Sequence, residues 1–198
     1  MPADHEQLQR SITRISLIAA PTLLLVSEIL RAVTIQSPRS QVVFASQVLA
    51  LAALAFFAPA VLGLARLLRA WSPAATASAL ALVLLGIMGS TGAVALRVVM
   101  WGLERTLAPD VFTGVRRAIP FQVLLTLLVP SLLFSLGLVA LAVGLYRTRV
   151  VPRRVSLLFL SGAIAFPIGS VPDVTSIILP ACLAMLAAWV RIAMSRNS

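Results

Sequence analysis

The chain has 198 residues, of which 60% are hydrophobic and 11% charged, with a mean hydropathy of +1.03. A soluble domain carries about 45–50% apolar and about 25% charged residues, and a globule of this length has no interior large enough for the excess. This composition excludes a soluble globule, a disordered chain, a coiled coil and a secreted disulfide scaffold, and it marks an integral membrane protein surrounded by the lipid bilayer. The formal net charge is +10 and every one of the 16 basic residues is arginine. In a soluble chain a pI near 11.9 would point to nucleic acid. Here the arginines stand in short clusters between apolar runs, so they read as topology signals, and no nucleic-acid partner is expected. The absence of lysine fits a GC-rich bacterial source.

A membrane-spanning helix needs about 20 apolar residues. Residues 1–14 form a polar N-terminal segment with Asp4, His5 and Glu6. Residues 15–194 read as an all-α bundle of six transmembrane helices, followed by a short tail, 195–198. The six runs are Ile15–Ile35, Val42–Leu64, Thr76–Leu103, Phe121–Tyr146, Val155–Val171 and Val174–Met194. The first continues past Glu28 without a small-x-small cleavage site, which speaks against a signal peptide. The third is long enough to tilt or to project beyond the bilayer. The fifth is short, contains Pro167, and is separated from the sixth by Pro172-Asp173 alone. It reads as a full span or, together with the sixth, as a re-entrant pair. Between the third and fourth runs, Pro109-Asp110 could open a short interfacial helix with Val111, Phe112 and Val115 on one side; an ordinary loop is the alternative.

Arginine placement sets the orientation. With the N-terminus in the cytoplasm, the inner segments hold Arg10, Arg14, Arg66, Arg69, Arg147, Arg149, Arg153, Arg154, Arg191 and Arg196. The outward half holds Arg31, Arg39, Arg97, Arg105, Arg116 and Arg117. The densest cluster, Arg147 to Arg154, lies on a short connection, where the positive-inside rule is strongest. Aromatic anchors agree, with Trp71, Tyr146 and Trp189 at inner helix ends and Phe44 and Trp101 at outer ones. Both termini are expected in the cytoplasm, with the protein in the bacterial cytoplasmic membrane.

The inventory for catalysis is thin. His5 is the single histidine, so neither a bis-histidine haem site nor a histidine metal cluster can form within one chain. No Gly-x-Ser-x-Gly, His-Glu-x-x-His or phosphate-loop motif occurs. Paired-carboxylate chemistry would need carboxylates from among Asp110, Asp173, Glu104 or Glu28 to converge from different outward segments, which nothing in the sequence requires. No enzyme activity, cofactor or metal is expected. Cys182 stands in an apolar setting and reads as a buried, inert thiol. Gly86-x-x-x-Ser90, Gly89-x-x-x-Ala93, Ala140-x-x-x-Gly144 and Ala184-x-x-x-Ala188 give helices small-residue faces, which serve packing within the bundle or association with a second copy or another membrane protein. Pro21, Pro59, Pro130, Pro167 and Pro180 lie inside five of the runs and mark places where a helix could bend. A faint repeat, Gly63-Leu64-Ala65-Arg66 and Gly144-Leu145-Tyr146-Arg147, each followed by a proline and a Gly-Ser span, reads as a parallel duplication or as coincidence.

The informative constellation is an outer polar layer. Glu28 and Arg31 share a face of the first helix. Arg97 on the third helix, Gln47 on the second and Gln122 with Thr126 on the fourth reach a similar depth, with Thr175 and Ser176 at the start of the sixth. An ionisable group inside a span costs at least about 2.5–3.5 kcal/mol, so it pairs or faces a cavity. Glu28 is expected to pair with Arg97 or with Arg31. The layer is then either a structural clamp or an outward pocket formed by Glu28, Arg31, Gln47, Arg97 and Gln122, whose arginines would favour an anionic ligand or lipid headgroup.

The stretch Gly144-Leu-Tyr-Arg-Thr-Arg-Val-Val-Pro-Arg-Arg154 resembles a group of small bacterial multi-span membrane proteins in which a helix closes on Gly-Leu-x-Arg and a basic, proline-containing turn leads to the next. The resemblance implies about six spans. It carries no activity and no catalytic residues. The expectation is a non-enzymatic scaffold or partner-binding subunit, with a small transporter or anionic-ligand-binding protein as the alternative.

Overall fold

A computed structural model of the protein describes residues 2–34, 41–68, 71–170 and 174–195. Arg39, Arg69, Pro172, Asp173, Arg196 and the end of the tail lie outside the described residues, as do the side chains of Asp4, His5, Glu6 and Arg10. Among the described residues the chain is entirely helical: α1 (Pro2–Val33), α2 (Gln41–Leu67), α3 (Pro73–Thr106), α4 (Pro109–Ala118), α5 (Phe121–Thr148), α6 (Arg153–Ser170) and α7 (Thr175–Ser195). The polar N-terminal segment is helical from Pro2 and continuous with the first apolar run.

Local chemistry explains the boundaries. Ser72 accepts a hydrogen bond from the Ala75 N–H at 3.5 Å and Pro73 fills the first helical position of α3, where a missing N–H costs nothing. Ala108 is extended because it precedes Pro109, so α3 must stop before α4 can start. Asp110 in the first turn of α4 and Arg116 and Arg117 in its last turn complement the helix dipole. Here the structure selects the short helix over the loop. No α4 residue is buried, and the helix packs against α3. At the end of α5, Arg149 takes the left-handed conformation (φ 54°) and its N–H bonds to the Leu145 carbonyl at 3.1 Å.

Five helices, α1, α2, α3, α5 and α7, are long and apolar enough to cross a membrane. The 18-residue α6 falls short because Arg153 and Arg154 occupy its first turn. Consecutive long helices run antiparallel and pack as three close pairs, α1 with α2, α3 with α5 and α6 with α7. Looser seams between α2 and α3, α5 and α6, and α7 and α1 close them into a ring. Large apolar side chains cover the outside, among them Met88, Leu136, Leu157 and Ile168. An apolar exterior of this extent suits lipid rather than water.

Backbones can approach closely only where side chains are absent. Gly86 faces the backbone of Phe134, and Gly137, one turn further along α5, faces Val83 and the Ala79 carbonyl. The small-residue face of α3 therefore packs within the bundle. The two Gly-Leu-x-Arg segments meet different surroundings, Gly63 against Thr13 and Gly144 against Trp71.

An aromatic chain fills the middle of the ring. Phe134 meets Phe57 at 5.1 Å between ring centres, Phe57 meets Trp189 at 5.4 Å, and Trp189 meets Phe159 at 5.5 Å, all edge to face. Such contacts contribute about 0.5–1.5 kcal/mol each beyond burial. They join α5, α2, α7 and α6. Trp189 was expected as an interfacial anchor, yet it is fully buried, because α7 turns that face inward onto α2 and α6. Phe44 and Trp101 stack at 5.2 Å near the opposite end.

Candidate functional site

The last turns of α1 bring Glu28 and Arg31 together on one face. Arg31 Nε donates to Glu28 Oε2 at 2.8 Å, and Nη2 lies 2.6 Å from the same oxygen. Of the two partners that the sequence offered Glu28, the structure shows Arg31. Residues three apart on a helix meet without any help from α3. Arg97 contributes to the same region from α3.

One residue before Glu28, the Ser27 hydroxyl donates to the Ser46 carbonyl at 2.9 Å and fastens α1 to α2. Ser46 gives its own hydroxyl proton to the Val43 carbonyl at 2.7 Å, so its oxygen can only accept from its neighbour Gln47, whose Nε2 lies 3.4 Å away. That fixes the orientation of the Gln47 amide. Its Oε1 is left without a protein partner, although the residue is only 6% exposed. An unmet buried acceptor costs about 1–3 kcal/mol.

These residues surround a cavity of about 540 Å³ bounded by α1, α2, α3, α5 and α6. Small-molecule sites occupy about 300–1,000 Å³. Glu28, Arg31, Gln47 and Arg97 form its charged and amide level, and Phe57 and Phe134 of the aromatic chain lie at its deep end. From Gln47 to Phe57 along α2 is about 15 Å at 1.5 Å per residue. Leu24, Ala50 and Leu54 make the α1–α2 wall apolar, whereas Ser90 of α3 and Ser131 and Ser135 of α5 place hydroxyls on the other. Ser131 donates to the Leu127 carbonyl at 2.7 Å, and Ser170 at the α6 end donates to Phe166 at 2.6 Å. Their protons are satisfied within their own helices, and their oxygens remain able to accept.

Four of the five residues expected around an outward pocket therefore line one cavity. Gln122 does not. It is exposed on α5, about two and a half turns from Ser131 and hence on the opposite face. Thr126 is exposed with it, and neither Thr175 nor Ser176 lines the cavity. Glu104 and Asp110 also lie off the lining, so Glu28 is the carboxylate that the described residues bring there. Among the described residues no three histidine, cysteine or acidic side chains gather to hold a metal. Cys182 is buried, as its apolar setting implied. Sequence reasoning missed the serines and the phenylalanine floor. The i, i+4 spacing of Ser131 and Ser135 was the available signal, since it puts two hydroxyls on one helix face.

Compared with known proteins, the chain matches no family model, no curated protein and no solved structure.

Proposed function

We propose that this is a six-span membrane protein with both termini cytoplasmic, and that it binds a small anionic ligand in the outward half of the ring. The observation that carries the reading is the 540 Å³ cavity to whose wall the described residues bring two guanidinium groups, Arg31 and Arg97, and the carboxylate of Glu28. A guanidinium presents N–H donors in a rigid planar fork that suits carboxylate and phosphate oxygens. The lining contains neither histidine nor lysine to activate a serine, which favours binding over catalysis.

An open pore within one chain is disfavoured by the buried chain of Phe57, Trp189 and Phe159 below the cavity. Transport would require that chain to part.

The test is the thermal unfolding midpoint of the purified protein in organic anions and organic cations at fixed ionic strength. Benzoate should raise the midpoint and tetraethylammonium should not, because a ligand that binds only the folded state stabilises it. The rise should shrink in Arg97→Gln. Equal responses to both ions would overturn the reading.

A further inference from the structure

We infer that the turn joining α5 to α6 and the exposed face of α6 together hold an anionic phospholipid. Arg147, Arg149, Arg153 and Arg154 fall within eight residues, and all four side chains are exposed. Glu28, Glu104 and Asp110 stand toward the other end of the ring, and among the described residues no carboxylate pairs with any of the four arginines. The Arg153 guanidinium lies 5.5 Å from the centre of the Tyr146 ring. A guanidinium stacked on a ring keeps its N–H donors at the edge, where they can meet oxygen. Arg153 and Arg154 also occupy the first turn of α6 with no acidic residue beside them, where the helix dipole disfavours cations. An anion from outside the chain relieves that cost and the repulsion among the four. The turn is already fixed: the Arg149 N–H bonds to the Leu145 carbonyl at 3.1 Å, the Pro152 carbonyl accepts from Val155 at 2.9 Å, and Val151 is buried. A surface ordered in advance loses less freedom on binding.

The surface that begins at these arginines separates a phospholipid from a free phosphate. At about 100° per residue, Leu157, Ser161, Ile164 and Ile168 fall within about 60° of one another, between the directions of Arg153 and Arg154. Leu157, Ile164 and Ile168 are 51%, 45% and 57% exposed. Ser161 donates to the Leu158 carbonyl at 2.9 Å, so its proton is satisfied within the helix. From Leu157 to Ile168 is about 16 Å, the depth of one leaflet of a hydrocarbon core about 30 Å thick. Phe166 and Ser170 give another face of α6 to the cavity, so the two surfaces are separate. A soluble phosphate would use the arginines and leave the apolar stripe bare. A zwitterionic lipid would cover the stripe and bring its own cation to the arginines. An anionic phospholipid meets both demands, its phosphate at the turn and its acyl chains along α6.

The experiment offers the full chain in detergent an equimolar mixture of phosphatidylglycerol and phosphatidylcholine with the same acyl chains. Bound lipid is counted by native mass spectrometry. Each engaged arginine contributes about fivefold, so phosphatidylglycerol should be retained at least about tenfold over phosphatidylcholine. Arg153→Gln with Arg154→Gln should remove most of that preference. Arg116→Gln with Arg117→Gln, the same change of charge at the other end, should leave it intact. A photoactivatable phosphatidylglycerol on the wild-type chain should crosslink to α6, which locates the site even if the first variant fails to fold. Glycerol 1-phosphate at the lipid's concentration should not displace it. Equal retention of the two lipids by wild type would overturn the anionic lipid. Equal losses in the two double variants, or crosslinks confined to other helices, would overturn its place on α6. Displacement by glycerol 1-phosphate would overturn the lipid in favour of a soluble phosphate.

Discussion

Arg31 closes back onto Glu28 within a single turn of α1, its Nε 2.8 Å from Oε2, with both side chains mostly buried. Removing either partner should cost about 1–3 kcal/mol, because it breaks a charge-assisted hydrogen bond in a poorly solvated place. A double-mutant cycle on unfolding free energies should give a clear coupling for Glu28→Gln with Arg31→Gln. Additive costs for that pair would contradict the ion pair.

Two glycines of α3 should behave oppositely. A methyl group at Gly86 would meet the Phe134 backbone, whereas at Gly102 nothing lies within 4 Å. Gly86→Ala should destabilise by about 1–3 kcal/mol through forced separation of α3 and α5. Gly102→Ala should be neutral or stabilise by up to about 1 kcal/mol, since alanine is the better helix former. Thermal unfolding of both variants checks this, and equal effects would contradict the close approach.

Cys182 is 1% exposed and flanked by apolar helix faces. It should resist a maleimide in the folded protein and react once the chain is unfolded. Rapid labelling of folded wild type would mean that α7 packs more loosely than described.

For orientation, single cysteines replacing Asp110 and Val150 in a Cys182→Ser background should separate under an impermeant reagent added to intact cells. The first should react and the second should not, because the Arg147–Arg154 cluster favours the cytoplasmic side. The opposite pattern would invert the topology.

Much of this architecture was legible in the chain because apolar length needs no tertiary information. Val42–Leu64 became Gln41–Leu67, and Phe121–Tyr146 became Phe121–Thr148, with only the ends extended. The charged part of the cavity was legible for a related reason: Glu28, Arg31 and Arg97 are costly in apolar runs, and cost identifies them. Rotation about the helix axis was not legible. Gln122 has the right depth and the wrong face, and Trp189 has the right end of a helix and a core position. A run that is apolar all round, such as α5, has no periodicity from which its inward face could be read. Ser90 reads from sequence as part of a packing face, and Ser131 carries little signal as a lining residue because its hydroxyl bonds its own helix, as is common in spans.

The most direct test of an anion-accepting cavity is the modification rate of Ser131→Cys, in a Cys182→Ser background, by thiosulfonate reagents of matched size and opposite charge. Ser131 lines the cavity beside the α3 wall, within reach of the field of Arg31 and Arg97. The anionic reagent should react faster than the cationic one, and Arg97→Gln should reduce that preference. No modification of the folded protein by either reagent, or a faster cationic reaction, would contradict the account.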